Sequence, residues 1–172
     1  SVGTMTKNTL DPELDPGLSF DSPVLDGLLQ AWRTAAAGKP MPTHADIDPI
    51  RIGAALLPHV LLIDVEHEPR LRYRWRLIGT HITTALDRDW TGSYWDEVYD
   101  MAALDSMHER ADWVLRNRMP LRSTGHSVTP ERDFDINEAL FMPLSDDGEI
   151  INMIMMGSVY SFRGGAGGLG AA

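Results

Sequence analysis

The chain has 172 residues, no cysteine, and 25 acidic against 15 basic side chains, giving a formal charge of −10. Against a norm of about 150 residues per domain this is one domain with short extensions, large enough to bury roughly 70% of the surface its unfolded chain exposes. A disulfide scaffold, a thiolate metal site and a cysteine nucleophile are excluded, and the acidity argues against a binder of nucleic acid or of an anionic membrane surface.

Residues 1–20 read as a flexible arm, with Ser1 to Thr4 before Met5 resembling an expression remnant and Pro12, Pro16 and Gly17 interrupting any period. The arm lacks the basic and apolar blocks of a signal peptide, and no later run approaches the ~20 apolar residues of a membrane span, so a cytoplasmic protein is expected. A domain over 21–163 follows, and the glycine-rich residues 164–172 read as a flexible tail. Ser22-Pro23 is a helix start, and Val24, Leu25, Leu28, Leu29 and Trp32 recur at helical spacing until Gly38-Lys39-Pro40, predicting an amphipathic helix over 22–37. Its apolar face must cover either its own sheet or a partner's. Ile50 to Leu57 is a short helix ended by Pro58.

From Val60 to Val65 the pattern turns strand-like, and Arg72-Tyr73-Arg74-Trp75-Arg76-Leu77 alternates basic with aromatic or aliphatic residues, the mark of a strand with one wet and one buried face. The pair forms an antiparallel hairpin. His81 to Leu86 reads as a short helix, Asp87 to Gly92 as a loop, and Ala102 to Met119 as a longer helix stopped by Pro120. Strands follow over Leu121 to Val128, Glu138 to Leu144 and Ile150 to Tyr160, with Pro143 suiting an edge or a strand end and Gly148 supplying a positive-φ turn. The fold class is α+β: a five-stranded antiparallel sheet with helices on one face and an N-terminal amphipathic helix.

Several segments together resemble a known family: Asp46-Ile47-Asp48-Pro49, Leu57-Pro58-His59-Val60-Leu61-Leu62-Ile63-Asp64-Val65, Tyr73-Arg74-Trp75-Arg76-Leu77-Ile78-Gly79-Thr80, Arg88-Asp89-Trp90-Thr91-Gly92 and Pro143-Leu144-Ser145-Asp146-Asp147-Gly148. Their order resembles the PAS-like family of short stand-alone alphaproteobacterial proteins, over residues 22–161. Two departures stand out: His44 where a basic residue is expected, and Asp87 where a glycine usually precedes Arg-Asp. The resemblance implies a non-catalytic sensory or interaction module that binds a small molecule between sheet and helices, forms a homodimer through the N-terminal helix, and signals to a separate protein. The alternatives are a constitutive dimerisation or interaction adaptor without a ligand and, more remotely, a small enzyme in the same cavity.

The residues expected at a ligand site are Tyr73, Trp75, Thr80, His81, Arg88, Trp90 and Tyr94, with Met153 and Met155 as adaptable apolar floor. Each has a structural reading beside the functional one: Thr80 as a helix cap, Arg88 and Asp89 as loop braces, and the aromatics and methionines as core. Partner or dimer contacts fall on Leu25, Leu28, Leu29 and Trp32, and on Arg72, Arg74 and Arg76, whose row is either a partner footprint or a salt-bridged sheet face. The six histidines show no ligand spacing, so no metal is expected; His81 alone merits a test as a haem ligand. No haem or flavin signature appears, and the cofactor is unknown. Asp133 and Asp135 could form an acid–base pair but sit in a charged stretch.

Overall fold

The computed structural model describes residues 13–125 and 134–162. Six strands form one sheet: β1 (Leu14–Asp15), β2 (Val60–Glu66), β3 (Arg72–Ile78), β4 (Leu121–Thr124), β5 (Phe134–Leu144) and β6 (Met153–Phe162). Their spatial order is β1-β4-β5-β6-β2-β3, and every neighbouring pair is antiparallel. Among the described residues, five α-helices accompany them: α1 (Pro23–Ala36), α2 (Pro49–Ile52), α3 (Thr80–Leu86), α4 (Trp95–Val98) and α5 (Met101–Asn117).

Strand alternation divides the sheet into two faces. Leu62 and Asp64 of β2 lie opposite Met155 and Met153 of β6, and Val60 lies opposite Gly157. This is the face covered by α1. A Cβ on Gly157 would sit 2.6 Å from Leu28 Cδ1 and 2.9 Å from Leu25 Cδ2, so the glycine is what lets the helix settle on the strand. Trp32 Nε1 donates to Pro143 O at 2.9 Å, fixing the far end of α1 to β5. The other face carries Leu61, Ile63, Tyr73, Trp75, Phe141, Ile154 and Met156 against α3, α4 and α5, with Ile82, Trp95, Met107 and Val114 buried there. The molecule is therefore layered as α1, sheet, then α3 to α5.

Leu25, Leu28, Leu29 and Trp32 are all buried within the chain, the first two completely. The expectation that these four form a partner contact is corrected: of the two surfaces the helix could cover, it covers its own sheet. Burial of each leucine is worth about 1.5–3 kcal/mol, which an exposed sheet face could not leave unused.

The α+β sheet has six strands where five were expected, because Leu14 and Asp15, assigned to a flexible arm, pair with Ser123 and Arg122 of β4. Two residues are too short for a periodic signal. The helix expected over Ile50 to Leu57 is a single turn, α2, followed after Gly53 (φ 84°) by a tight turn at Leu57–His59. Helix α4, a single turn, has no expected counterpart, since four residues repeat no pattern. Pro143 lies near the end of β5, past the last residue paired with β4, Phe141, where a missing N–H is tolerated. The expected strand from Leu121 ends at Thr124; residues 126–128 lie outside the described residues.

Candidate functional site

Edge strand β3 is sealed by the loop that follows α3. Gly92 N–H donates to Trp75 O at 2.6 Å and Trp75 N–H to Ser93 O at 3.0 Å. This seal presses an aromatic cluster against the helix-covered face. Trp95, fully buried, lies 4.7 Å from Tyr73 and 5.3 Å from Trp75 between ring centroids; Trp90 meets Tyr99 edge-on at 5.4 Å, and His108 meets Tyr73 edge-on at 5.2 Å. Such pairings add to simple burial and fix ring orientation.

The polar atoms of the cluster are mostly hydroxyls and indole nitrogens. Tyr73 Oη donates to Asp112 Oδ1 at 2.6 Å, and burial, reinforced by that carboxylate, pushes the phenol well above its ordinary range. Trp75 Nε1 donates to Tyr99 Oη at 3.3 Å. Burial likewise raises the Tyr99 and Tyr160 phenols, so both stay neutral at any ordinary pH. Trp95 Nε1 is buried without a hydrogen-bond partner. Leaving such a donor unpaired costs about 1–3 kcal/mol. Chemically, the cluster offers neutral donors and π faces, a set that stacks and hydrogen-bonds an uncharged planar molecule.

His81, at the start of α3, faces the end of β6. Its Nε2 accepts the Tyr160 backbone N–H at 3.3 Å, its ring stacks on His59 at 4.1 Å, and His59 Nδ1 lies 3.0 Å from Ser158 O. Burial, then the neighbouring His59 charge, lowers the His81 pKa below its ordinary value. With Nε2 engaged by the backbone, the ring braces α3 to β6 rather than presenting that nitrogen as a haem ligand. Thr80 is the first residue of α3, and the capping position is Gly79 instead, with no side-chain cap. A Cβ at Gly79 would meet Pro58 O at 2.2 Å, which excludes any larger residue there. Asp89 does brace the loop, accepting from Thr91 N–H and Oγ1 at 3.0 and 2.5 Å, while the exposed Arg88 guanidinium lies 5.6 Å from the Trp90 ring centroid.

The remaining expected ligand residues do not join this cluster. Met153 and Met155 point to the α1 side, where Met153 lines a groove of about 600 Å³ with His44, Ile47, Asp64 and Arg76. One-residue alternation decides this, and Met156 takes the side covered by α3 to α5. Tyr94 pairs with Arg74 at the sheet edge and donates from Oη to Glu66 at 2.7 Å on the same outer side. The arginine row also lies there, salt-bridged: Arg72 holds Asp96 through two bonds of 2.7 and 2.8 Å and stacks 3.6 Å over Tyr94, while Arg74 and Arg76 share Asp64 at 2.9 and 3.7 Å. Of the two readings of this row, the geometry fits the salt-bridged face.

Tyr99 and Asp112 join the aromatic cluster, and His59 and Tyr160 meet His81, without any local signal in the sequence; only tertiary packing brings them in. Among the described residues, no three histidine, aspartate or glutamate side chains come together to hold a metal ion. The Asp133–Asp135 pair lies where side chains are outside the described residues.

A family profile described as PAS domain matches residues 20–158, a span that contains α1 to α5 and five of the six strands up to the last residues of β6. The chain belongs to the PAS domain family. Searches of curated proteins and of solved structures find no match. PAS domains are sensory or interaction modules and generally not catalysts. No helix among the described residues is long and apolar enough to cross a membrane. In this PAS domain the aromatic cluster occupies the space between sheet and helices, and Asp87, one of the two departures from the family pattern, adopts φ 50°, ψ 39°, the left-handed conformation that glycine takes most readily.

Proposed function

We propose that this PAS domain is a non-catalytic sensory module of the cytoplasm that takes an uncharged planar molecule among Tyr73, Trp75, Trp90, Trp95 and Tyr99, and passes the signal to a separate protein. The observation that carries this reading is Trp95 Nε1, a buried donor with no hydrogen-bond partner, on a ring that packs against Tyr73 and Trp75. An acceptor atom on a stacked ligand satisfies it. His81 and the Asp87–Tyr94 loop then form the mouth, and ligand entry moves α3 against β6 through the His81–Tyr160 bond.

Freshly purified protein, analysed by native mass spectrometry and then denatured to release bound material, tests this. A stoichiometric small molecule supports the reading, and tryptophan fluorescence that shifts on its removal locates it. Protein that is ligand-free as isolated and unresponsive in fluorescence to a panel of planar heteroaromatics overturns it.

A second reading, a constitutive interaction or dimerisation adaptor, has its own support. The rings already lie at close centroid distances, and, among the described residues, two cavities of about 490 and 600 Å³ lie on the α1 side of the sheet. A homodimer would have to use a surface other than the buried face of α1. The same native spectra report the mass of the assembly.

A further inference from the structure

The outer edge of the sheet is closed by a piece of the chain's own N-terminal arm. Glu13-Leu14-Asp15 lies antiparallel on β4, Leu14 opposite Ser123 and Asp15 opposite Arg122, and Thr124 N–H donates to Glu13 O at 2.8 Å. Leu14 is buried and packs into the main core, the one apolar anchor of the tripeptide. Both flanking carboxylates meet arginines that are themselves nearly buried. Glu13 Oε2 lies 3.0 Å from Arg110 Nη2, whose other nitrogen is held by Ser106 O and Oγ, and Asp15 Oδ2 lies 3.4 Å from Arg122 Nη1, whose Nε is held by Glu138 at 2.6 Å. These two guanidinium groups are 10% and 13% exposed in a chain of formal charge −10.

Gly125 completes the cradle. It takes φ 136°, and a Cβ there would fall 2.6 Å from Glu13 Oε2, so the backbone leaves room for a carboxylate at that spot. The edge thus presents a strand template, a socket for leucine and a fixed guanidinium on either side. Strand addition of this kind draws affinity from main-chain bonds and selectivity from alternate side chains. Two paired residues are few for a strand, so the occupant is held largely by its side chains and is open to exchange.

We propose that the β4 edge is a docking site for an extended acidic–leucine–acidic protein segment, with the chain's own Glu13-Leu14-Asp15 as the resident occupant that an incoming segment displaces. The charge pattern and the leucine socket select that chemistry: a basic or uncharged strand would leave Arg110 without its carboxylate partner and Arg122 with Glu138 and Asp21 only, in a desolvated edge. The proposal does not depend on a ligand in the aromatic chamber.

The test uses the full-length chain carrying E13K, L14A and D15K, which empties the edge, and a fluorescein-labelled peptide with the sequence of Leu10 to Leu18 as probe, read by fluorescence anisotropy. The expected result is saturable binding to the variant, weakened by added salt, and roughly tenfold or more weaker for a peptide with alanine at the leucine or for the R110A background. The unaltered chain binds the peptide more weakly, since its own arm competes at high effective concentration. A folded variant that does not bind the peptide, or binds it no better than the alanine peptide, overturns the proposal. If circular dichroism shows the triple variant unfolded, the milder E13Q/D15N chain is used and read by the same two outcomes.

Discussion

Removing the Glu138 carboxylate is expected to destabilise this domain more than any other single loss of charge near the N-terminal strap. Its side chain is 4% exposed and accepts three bonds, from Ser22 N–H at 2.6 Å, Asp21 N–H at 3.0 Å and Arg122 Nε at 2.6 Å. It is therefore the cap of the entry to α1 as well as the counter-ion of Arg122; Ser22 itself makes no side-chain cap. E138A leaves two backbone donors without their acceptor and a guanidinium with only Asp15 and Asp21, at 3.4 and 3.5 Å. Breaking a buried pair by deleting one partner costs about 3–5 kcal/mol, and the orphaned amides overlap with rather than add to that figure. Taking about 3 kcal/mol, and about 2–4 °C per kcal/mol for a domain of this size, the midpoint of thermal unfolding should fall by about 6–12 °C. Calorimetry, or urea unfolding followed by tryptophan fluorescence, measures it. The acid limb gives an independent check. Burial alone would raise the Glu138 pKa, but the Asp21 amide, Arg122 and the Ser22 amide outweigh it and hold the carboxyl below its ordinary value of 4.5. Its contribution is thus present above pH 4.5 and lost as pH falls through the lower folded-state value, and E138Q should flatten that loss. A fall under about 1 kcal/mol for E138A would refute the reasoning, since it would mean that water replaces the carboxylate at little cost.

Three further outcomes follow from particular residues. G79A should cost about 3 kcal/mol, because its Cβ would stand 2.2 Å from Pro58 O and 2.8 Å from Val60 O, backbone atoms that cannot swing aside; a urea midpoint unchanged from the parent would show that the α3 entry is pliable. D87G should stabilise by about 0.5–1 kcal/mol, since Asp87 ends α3 at φ 50° where glycine has no Cβ penalty, and a lowered melting temperature would count against that account. The His81 pKa is lowered, so the folded state binds its proton less readily than the unfolded chain; stability should decline as pH drops below 6.5, and H81Q should remove most of that slope in urea titrations across this range. Equal slopes in parent and H81Q would locate the pH dependence elsewhere.

Much of the fold was legible where one local rule operates at a time. Alternation in Arg72 to Leu77 placed both the strand and its buried aromatics, and Pro23 and the leucine spacing placed α1 to within a residue at each end. The Ser145 to Gly148 turn also held, with Gly148 at φ 81°. The candidate site was legible only in part. Tyr73, Trp75 and Trp90 do come together, but Met153, Met155 and Tyr94 fall on the opposite side of the sheet. Where a strand is buried on both faces, as β6 is, an apolar run gives no clue to which residues look which way. The short elements β1 and α4 leave no mark for a related reason: with two and four residues, each covers about one period and so repeats no pattern.

By itself, then, the amino-acid sequence determined the α+β class, the antiparallel hairpin and the long helices, which rest on periodicity and on turn residues acting locally, while the order of its motif segments carried the PAS resemblance. Tertiary structure alone decided what each face is used for. It seated α1 on its own sheet through the space above Gly157, paired the arginine row with Asp64 and Asp96, brought Tyr99 onto Trp75 and Tyr160 onto His81, and drew Glu13 to Asp15 onto β4 between two arginines. These outcomes depend on groups brought together from distant parts of the chain, Glu13 with Arg110 and His81 with Tyr160 among them, whose meeting is set by sheet register and by which surfaces remain uncovered once the core has formed.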